Sequence, residues 1–201
     1  QTCALPIYAP YHLVMNPDVF FEPSVLENLV QFMDHHPDVG LVMPKILYPD
    51  GTLQRLCKLL PTPMDLIGRR FFPFLPWCQK RNSVYELRFA DYNTCMCAPF
   101  LSGSFMLLRR QAIQEVGNFD ERFFLYMEDA DLCRRIGSRF KTVYYPQAQI
   151  YHTYNKASYH KMHIMYQHIK SAILYFNKWG WLRDAEREEI NARTLRELGY
   201  K

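Results

Sequence analysis

The stretch YHLVMNPDVFFEPSVLENLVQFMDHHPDVGLVM, residues 11–43, decides the fold. It opens with a short apolar run, residues 11–15, stopped by Asn16-Pro17-Asp18, which reads as a buried strand ending in a turn. Pro23, preceded by Glu22, then occupies a favourable first-turn position of a helix. Val25, Leu26, Leu29, Val30 and Met33 recur at helical spacing. His35-His36-Pro37 ends that run, because the residue before a proline avoids the helical region. Residues 39–43 (VGLVM) form a second short buried strand, and Pro49-Asp50-Gly51 between residues 45–48 and 52–56 signals a hairpin. Strand, helix, strand and hairpin in succession make an α/β beginning.

Further along, residues 58–98 carry Pro61, Pro63, Pro73 and Pro76 with little periodicity, and Arg69-Arg70-Phe71-Phe72-Pro73-Phe74-Leu75-Pro76-Trp77 mixes cations with large aromatics. This reads as a long excursion with one short helix around residues 64–69, and such stretches in compact domains are usually functional or mobile. Regularity returns at Phe100. Residues 104–108 read as a strand, 110–116 as a short helix closed by Gly117, and 128–136 as a helix ending at Gly137. Residues 141–145 and 149–152 read as two short strands, 158–178 as a long amphipathic helix and 184–198 as a second, highly charged one. The expected division is an atypical opening at 1–10, a catalytic part at 11–157 and a helical extension at 158–201.

Composition narrows the function. Of 201 residues, 49% are hydrophobic and 22% charged, which excludes a mainly disordered chain. No apolar run approaches the roughly 18–20 residues of a membrane span. A net charge of +4 is mildly basic; it permits contact with phosphates or anionic lipid heads, and no Lys/Arg block of the kind that marks a nucleic-acid arm is present. The opening QTCALPIYAP has neither the basic nor the long apolar region of a secretory signal. The six cysteines include a Cys95-Met-Cys97 pair but no paired CxxC framework, so a zinc ribbon is not expected and the thiols read as reduced, in a cytosolic protein.

Four segments can carry chemistry. Asn16-Pro17-Asp18 stands at the carboxyl end of a strand, the edge where open α/β sheets bind ligands, and a carboxylate there can hold a divalent cation bridging a diphosphate; taken alone the tripeptide is most simply a turn. In residues 119–135 (GNFDERFFLYMEDADLCRR begins two residues earlier) aromatics lead directly into Glu128, Asp129 and Asp131. A carboxylate against aromatic surface has its pKa raised toward that of a useful base, although acids at a helix start also simply complement the macrodipole. In Leu101-Ser102-Gly103-Ser104 the glycine permits close backbone approach and the hydroxyls can bind a sugar or phosphate. His152, at the end of a strand, can complete a metal site or touch a phosphate.

In this order, MNPDV, PDGTLQR, FLSGSFMLLRR, GNFDERFFLYMEDADLCRR and YHTYNKAS together resemble the catalytic half of an inverting glycosyltransferase of family 2 with the GT-A fold. The likeness is closest to the bacterial rhamnosyltransferase-type members that build O-antigen and other cell-surface polysaccharides, and it covers residues 11–178. It implies an α/β, Rossmann-like mixed sheet flanked by helices, a nucleotide-diphosphate sugar donor, a glycan or lipid-linked acceptor, and Mg²⁺ or Mn²⁺ as cofactor. It implies that Asn16-Pro17-Asp18 matches the DxD-type element, with Asp18 the metal carboxylate and Asn16 replacing the first acid. It further implies that Asp129, beside Glu128, is the catalytic base, that Ser102, Gly103, Ser104 and Asp131 line the acceptor side, and that His152 approaches the metal or diphosphate. The implied location is cytoplasmic, at the inner face of the plasma membrane, with Arg69 to Trp77 and Trp179-Gly180-Trp181 supplying interfacial contact.

In the family, nucleotide-binding βαβ units precede the DxD element; here residues 1–10 stand before it and read as foreign to the family, so those strands are expected to be missing. Two other readings follow. One is an inactive fragment serving at most as an interaction module. The other is a sugar nucleotidyltransferase, disfavoured because no glycine-rich, basic phosphate loop occurs near the start.

Overall fold

The computed structural model describes residues 9–153 and 162–200. Within them runs β1 (Tyr11–Met15), β2 (Val19–Phe20), α1 (Ser24–His35), β3 (Val39–Leu47), β4 (Cys57–Lys58), α2 (Pro63–Phe71), α3 (Pro76–Tyr85), β5 (Met96–Cys97) and β6 (Phe100–Leu101). There follow β7 (Phe105–Arg109), α4 (Arg110–Val116), α5 (Glu128–Gly137), β8 (Lys141–His152), α6 (Met162–Trp179) and α7 (Ala185–Glu197). The α/β expectation holds. The main sheet has the order β1-β7-β3-β8-β2, with β5 also on β8, and a small β4-β6 pair stands apart. β3 and β8 are parallel; the other pairings are antiparallel.

Each element has a local cause. α1 buries Val25, Leu29 and Met33 at spacings of four, one face of a helix. Where α1 runs into β3, Arg109 at the end of β7 pins the connection: Nη2 donates to Met33 O (2.6 Å) and His36 O (2.9 Å), and Nε to Val39 O (2.7 Å). α2 starts at a capping box, with Thr62 and Asp65 exchanging side-chain to backbone hydrogen bonds. β3 is almost wholly buried and central, so helices α1, α4 and α5 pack on it and on β8. Gly40 belongs to that packing: a Cβ there would lie 2.7 Å from Phe140 Cβ and 2.8 Å from Ile136 Cγ2.

Several boundaries differ from the sequence reading. The two short strands at 141–152 are one strand, β8, whose register with β3 shifts between Pro44 and Lys45. Pro44 and Pro146 lack the ladder N–H, and the irregularity absorbs both without ending either strand. The hairpin at 49–51 is a tight turn, with Tyr48 N–H to Thr52 O and the single bridge Leu47–Leu53, rather than a ladder. The excursion at 58–98 holds a second helix, α3. Of the 158–178 helix, residues 158–161 lie outside the described residues, as does the expected domain boundary at 157. α6 brings Tyr175 and Phe176 into the main core.

Candidate active site

Three backbone contacts gather distant segments. The Asn16 N–H donates to Ser104 O (3.0 Å), tying the turn after β1 to the loop before β7. β2 pairs with the end of β8 so that Val19 stands opposite His152, and the Thr153 N–H donates to Asp18 O (3.1 Å). The Gly103 N–H donates to Asp129 Oδ2 (3.0 Å), while Asp129 Oδ1 accepts from the Ala130 N–H (2.9 Å). The approach at Gly103 is close: a Cβ there would lie 3.3 Å from Asp129 Cβ, tight enough that Asp129 would have to shift.

The imidazole of His152 is buried and oriented by Gln54. Gln54 Nε2 donates to His152 O (2.7 Å) and to Leu47 O (3.4 Å), which leaves Oε1 facing His152 Nδ1 at 3.1 Å. Nδ1 therefore carries a proton, and in the neutral ring Nε2 presents its lone pair. Nε2 lies 3.3 Å from Asn16 Nδ2 and 3.3 Å from Asp18 Oδ1. Cis ligands on an octahedral ion with bonds of about 2.1 Å stand about 3.0 Å apart, so Asp18 Oδ1 and His152 Nε2 have nearly the spacing of adjacent ligands on one divalent cation. Among the described residues no group of three or more His, Cys, Asp and Glu gathers. Asp18 and His152 are the two side chains here that would hold a divalent cation.

The carboxylates enter on a strained turn. Tyr126 and Met127 both have φ of 67°, a left-handed conformation that costs non-glycine residues on the order of 1–3 kcal/mol each and is kept mostly at functional sites. Directly after it α5 begins with Glu128 and Asp129. Glu128 is pushed up to about 7, first by burial and then by the neighbouring Asp129 charge. Asp129 is raised as well, by burial, against the lowering effect of the Gly103 N–H and of Lys58. Glu128 Oε2 is buried without a hydrogen-bond partner. Burial and mutual repulsion thus make both carboxyl groups hold protons more tightly than free carboxyls do.

A cleft of about 310 Å³ joins these groups: Asn16, His152, Ser102, Gly103, Ser104, Glu128 and Asp129 all line it. The Ser102 and Ser104 hydroxyls are mutually bonded at 2.8 Å. Asp18 does not line this cleft; its carboxylate, 40% exposed, stands 3.3 Å from the His152 Nε2 that does. Asp131, expected on the acceptor side, is elsewhere. It is fully buried, with Oδ1 accepting from Trp179 Nε1 (2.8 Å) and Lys178 Nζ (2.7 Å) and Oδ2 from Arg135 Nε (2.8 Å), so it ties α5 to α6.

Lys58 also lines the cleft, its ammonium 5.0 Å from the centre of the Phe100 ring and its pKa pushed down to about 8, chiefly by burial. Its one signal in the sequence is a lone cation within the apolar run Leu56-Cys57-Lys58-Leu59-Leu60. Gln54 falls within the PDGTLQR motif, which gives it no role by itself. Its role follows from β3 and β8 standing side by side, which local pattern does not show.

Comparison with known proteins places the chain in a family. Residues 9–166 match the family described as "Glycosyltransferase like family 2". An N-acetylglucosaminyl-diphospho-decaprenol L-rhamnosyltransferase of Mycobacterium tuberculosis, found in two strains, is 34% identical over 145 residues, 70% of this chain and 46% of the relative. The O-antigen biosynthesis protein RfbC of Myxococcus xanthus is 27% identical over 128 residues, 63% of this chain and 9% of that protein. The chain thus spans about half the length of the rhamnosyltransferases it matches.

Proposed function

We propose that this chain, which belongs to glycosyltransferase family 2 and has the mixed sheet of the GT-A fold, transfers a sugar with inversion from a nucleotide-diphosphate donor to a lipid-linked acceptor in cell-surface polysaccharide synthesis. Rhamnose is the donor sugar that the relatives favour. The observation that carries the reading is the juxtaposition, across one cleft, of a cation-type pair at His152 and a high-pKa carboxylate pair at Glu128-Asp129.

The residues divide the work. Asp129 takes the proton of the acceptor hydroxyl as that oxygen forms a bond to the anomeric carbon. The bond from that carbon to the diphosphate oxygen breaks on the opposite face, and its electron pair leaves with the nucleotide diphosphate. One displacement inverts the configuration without a covalent intermediate on the protein. The Gly103 and Ala130 N–H groups hold the Asp129 carboxylate in place, each taking one lone pair of one oxygen. Glu128, with its unpartnered Oε2, hydrogen-bonds the acceptor beside the reacting hydroxyl. Asp18 and His152 would hold a divalent cation, Mg²⁺ or Mn²⁺, and such an ion would neutralise charge developing on the diphosphate. Ser102 and Ser104 orient the acceptor.

No helix among the described residues is long and apolar enough to cross a membrane. Independently of that, the lipid-linked acceptor puts the reaction at a membrane, and in this reading it takes place at the cytoplasmic face. The test is the anomeric configuration of the product, read by NMR after incubation with nucleotide-diphosphate rhamnose and an N-acetylglucosaminyl lipid diphosphate. An inverted linkage is expected; retention, or hydrolysis of the donor without transfer, contradicts the reading.

A further inference from the structure

Behind the transfer cleft lies a second one, of about 250 Å³, between α2 and α6. Its α2 wall presents Leu66, Ile67, Arg70 and Phe71, at the three- and four-residue spacings of a single helical face, and its α6 wall presents His168, Ile169, Ala172 and Ile173 in the same way. Ile67, Phe71, Ile169 and Ile173 are between 44% and 56% exposed. Apolar surface left open in this way on a folded chain marks an interaction site. The two clefts share their wall: Leu66, Arg70 and His168 line both. Arg70 Nη2 lies 3.4 Å from Met165 Sδ, so its guanidinium spans the gap between the two helices at that junction. Arg69, on the transfer side, is paired with Glu86 at 3.0 Å.

We propose that the α2–α6 cleft seats the polyprenyl chain of a lipid-diphosphate acceptor, with Arg70 facing the diphosphate. This rests on the transferase reading and deepens it. The order of chemistry along the two cavities is carboxylate at Asp129, cation at Arg70, apolar walls beyond. That is the order of parts in a sugar linked through a diphosphate to an isoprenoid chain: accepting hydroxyl, anionic linker, hydrocarbon. The occupant is a chain rather than a bilayer surface because the apolar face is concave and continuous with the transfer cleft, and its cation stands at the inner junction.

The test measures binding of farnesyl diphosphate and of inorganic diphosphate to the full chain by isothermal titration, in the wild type and in Ile173→Glu and Arg70→Gln. Both positions are at a cleft wall, and thermal melts check that each variant is folded; Ile169→Ser is a second variant of the same wall. Farnesyl diphosphate is expected to bind at least about tenfold more tightly than inorganic diphosphate, a margin that burial of a few methylene equivalents supplies. Ile173→Glu removes that margin and leaves inorganic diphosphate unchanged, while Arg70→Gln weakens both. Equal affinity for the two ligands, or a margin that survives Ile173→Glu, overturns the proposal. So does flotation with phosphatidylcholine vesicles that Ile173→Glu abolishes while the farnesyl margin persists, since the face is then a membrane contact. A farnesyl margin in a chain that transfers no sugar counts against the transferase reading and leaves the cleft standing. Transfer to a soluble N-acetylglucosamine glycoside with no farnesyl margin does the reverse.

Discussion

Gly103 and Asp129, 26 positions apart, meet so closely that the Gly103 N–H donates to Asp129 Oδ2 at 3.0 Å and a methyl group on residue 103 would lie 3.3 Å from Asp129 Cβ. The loop before β7 therefore sets the position of the proposed base, and the sequence Ser102-Gly103-Ser104 is constrained at its centre by the start of α5.

From this contact, Gly103→Ala is expected to push Asp129 aside by a few tenths of an ångström while the fold persists. Misplacing a reacting group by small distances costs roughly ten- to a hundredfold in turnover. Steady-state kinetics should show that loss in kcat, with a thermal midpoint close to wild type. An unchanged kcat would mean that Asp129 is not held for chemistry by this loop.

The carboxylate pair predicts a pH signature. The base works deprotonated, so kcat/KM rises with pH as the Glu128-Asp129 pair loses its shared proton, near 7 where Glu128 is placed. Glu128→Gln removes the like charge beside Asp129 and moves the rise to lower pH. Stability follows the same linkage. Carboxyl groups raised in the folded state favour folding fully below their unfolded pKa, and that contribution fades as pH rises through the folded value. The melting temperature of Glu128→Gln relative to wild type should therefore increase between pH 5 and pH 8. A gap that stays flat would show that Glu128 is not the raised group.

Much of this was legible in the sequence, and what was not has definite causes. The strands and helices of residues 11–43 follow their apolar spacing, and the segments carrying Asn16, Ser102, Asp129 and His152 meet in one cleft. α3 escaped notice because its apolar residues fall in two directions, with Cys78 and Tyr85 buried and Trp77 exposed. Pro146 reads as a strand break, but the register shift beside Pro44 accommodates it. Asp131 shares its spacing with Glu128 and Asp129, yet it turns away from the cleft because Lys178 and Trp179 on α6 claim it. Gln54 and Lys58 become functional candidates only through pairings between segments distant in the chain.

Gln54 fixes the ring of His152. Partners that orient a metal-ligating histidine are typically worth about 10–100-fold in metal affinity. Gln54→Met is expected to weaken Mn²⁺ binding by that order in a titration with donor analogue present. Because it also strips the donor from His152 O, it should lower stability by about 1–3 kcal/mol. Unaltered Mn²⁺ affinity would remove His152 from the cation site.

Away from the cleft, Arg134 and Asp184 form a bidentate pair at 2.7 and 2.8 Å, both side chains under 5% exposed, and Arg134 lies over the Trp179 ring at 4.2 Å. Removing Asp184 leaves the buried Arg134 only the half-exposed Glu186 carboxylate at 2.6 Å, so the loss is expected toward the lower end of the about 3–5 kcal/mol of a broken buried pair. Asp184→Ala also removes the cap of α7, where Asp184 Oδ1 accepts from the Arg187 N–H at 3.0 Å. Urea denaturation should show a loss of that size, with KM for the donor unchanged in the fraction that remains folded. A loss below about 1 kcal/mol would mean that this pair does not anchor the C-terminal helices.

The most direct measurement compares Asp129→Asn with wild type for both donor affinity and single-turnover sugar transfer. The amide keeps the size of the side chain and can still accept the Gly103 N–H, but it takes no proton. Donor affinity is expected to stay within a few-fold of wild type while transfer is lost; transfer near the wild-type rate would contradict the assignment of Asp129 as the base, and with it the sugar-transfer chemistry proposed for this cleft.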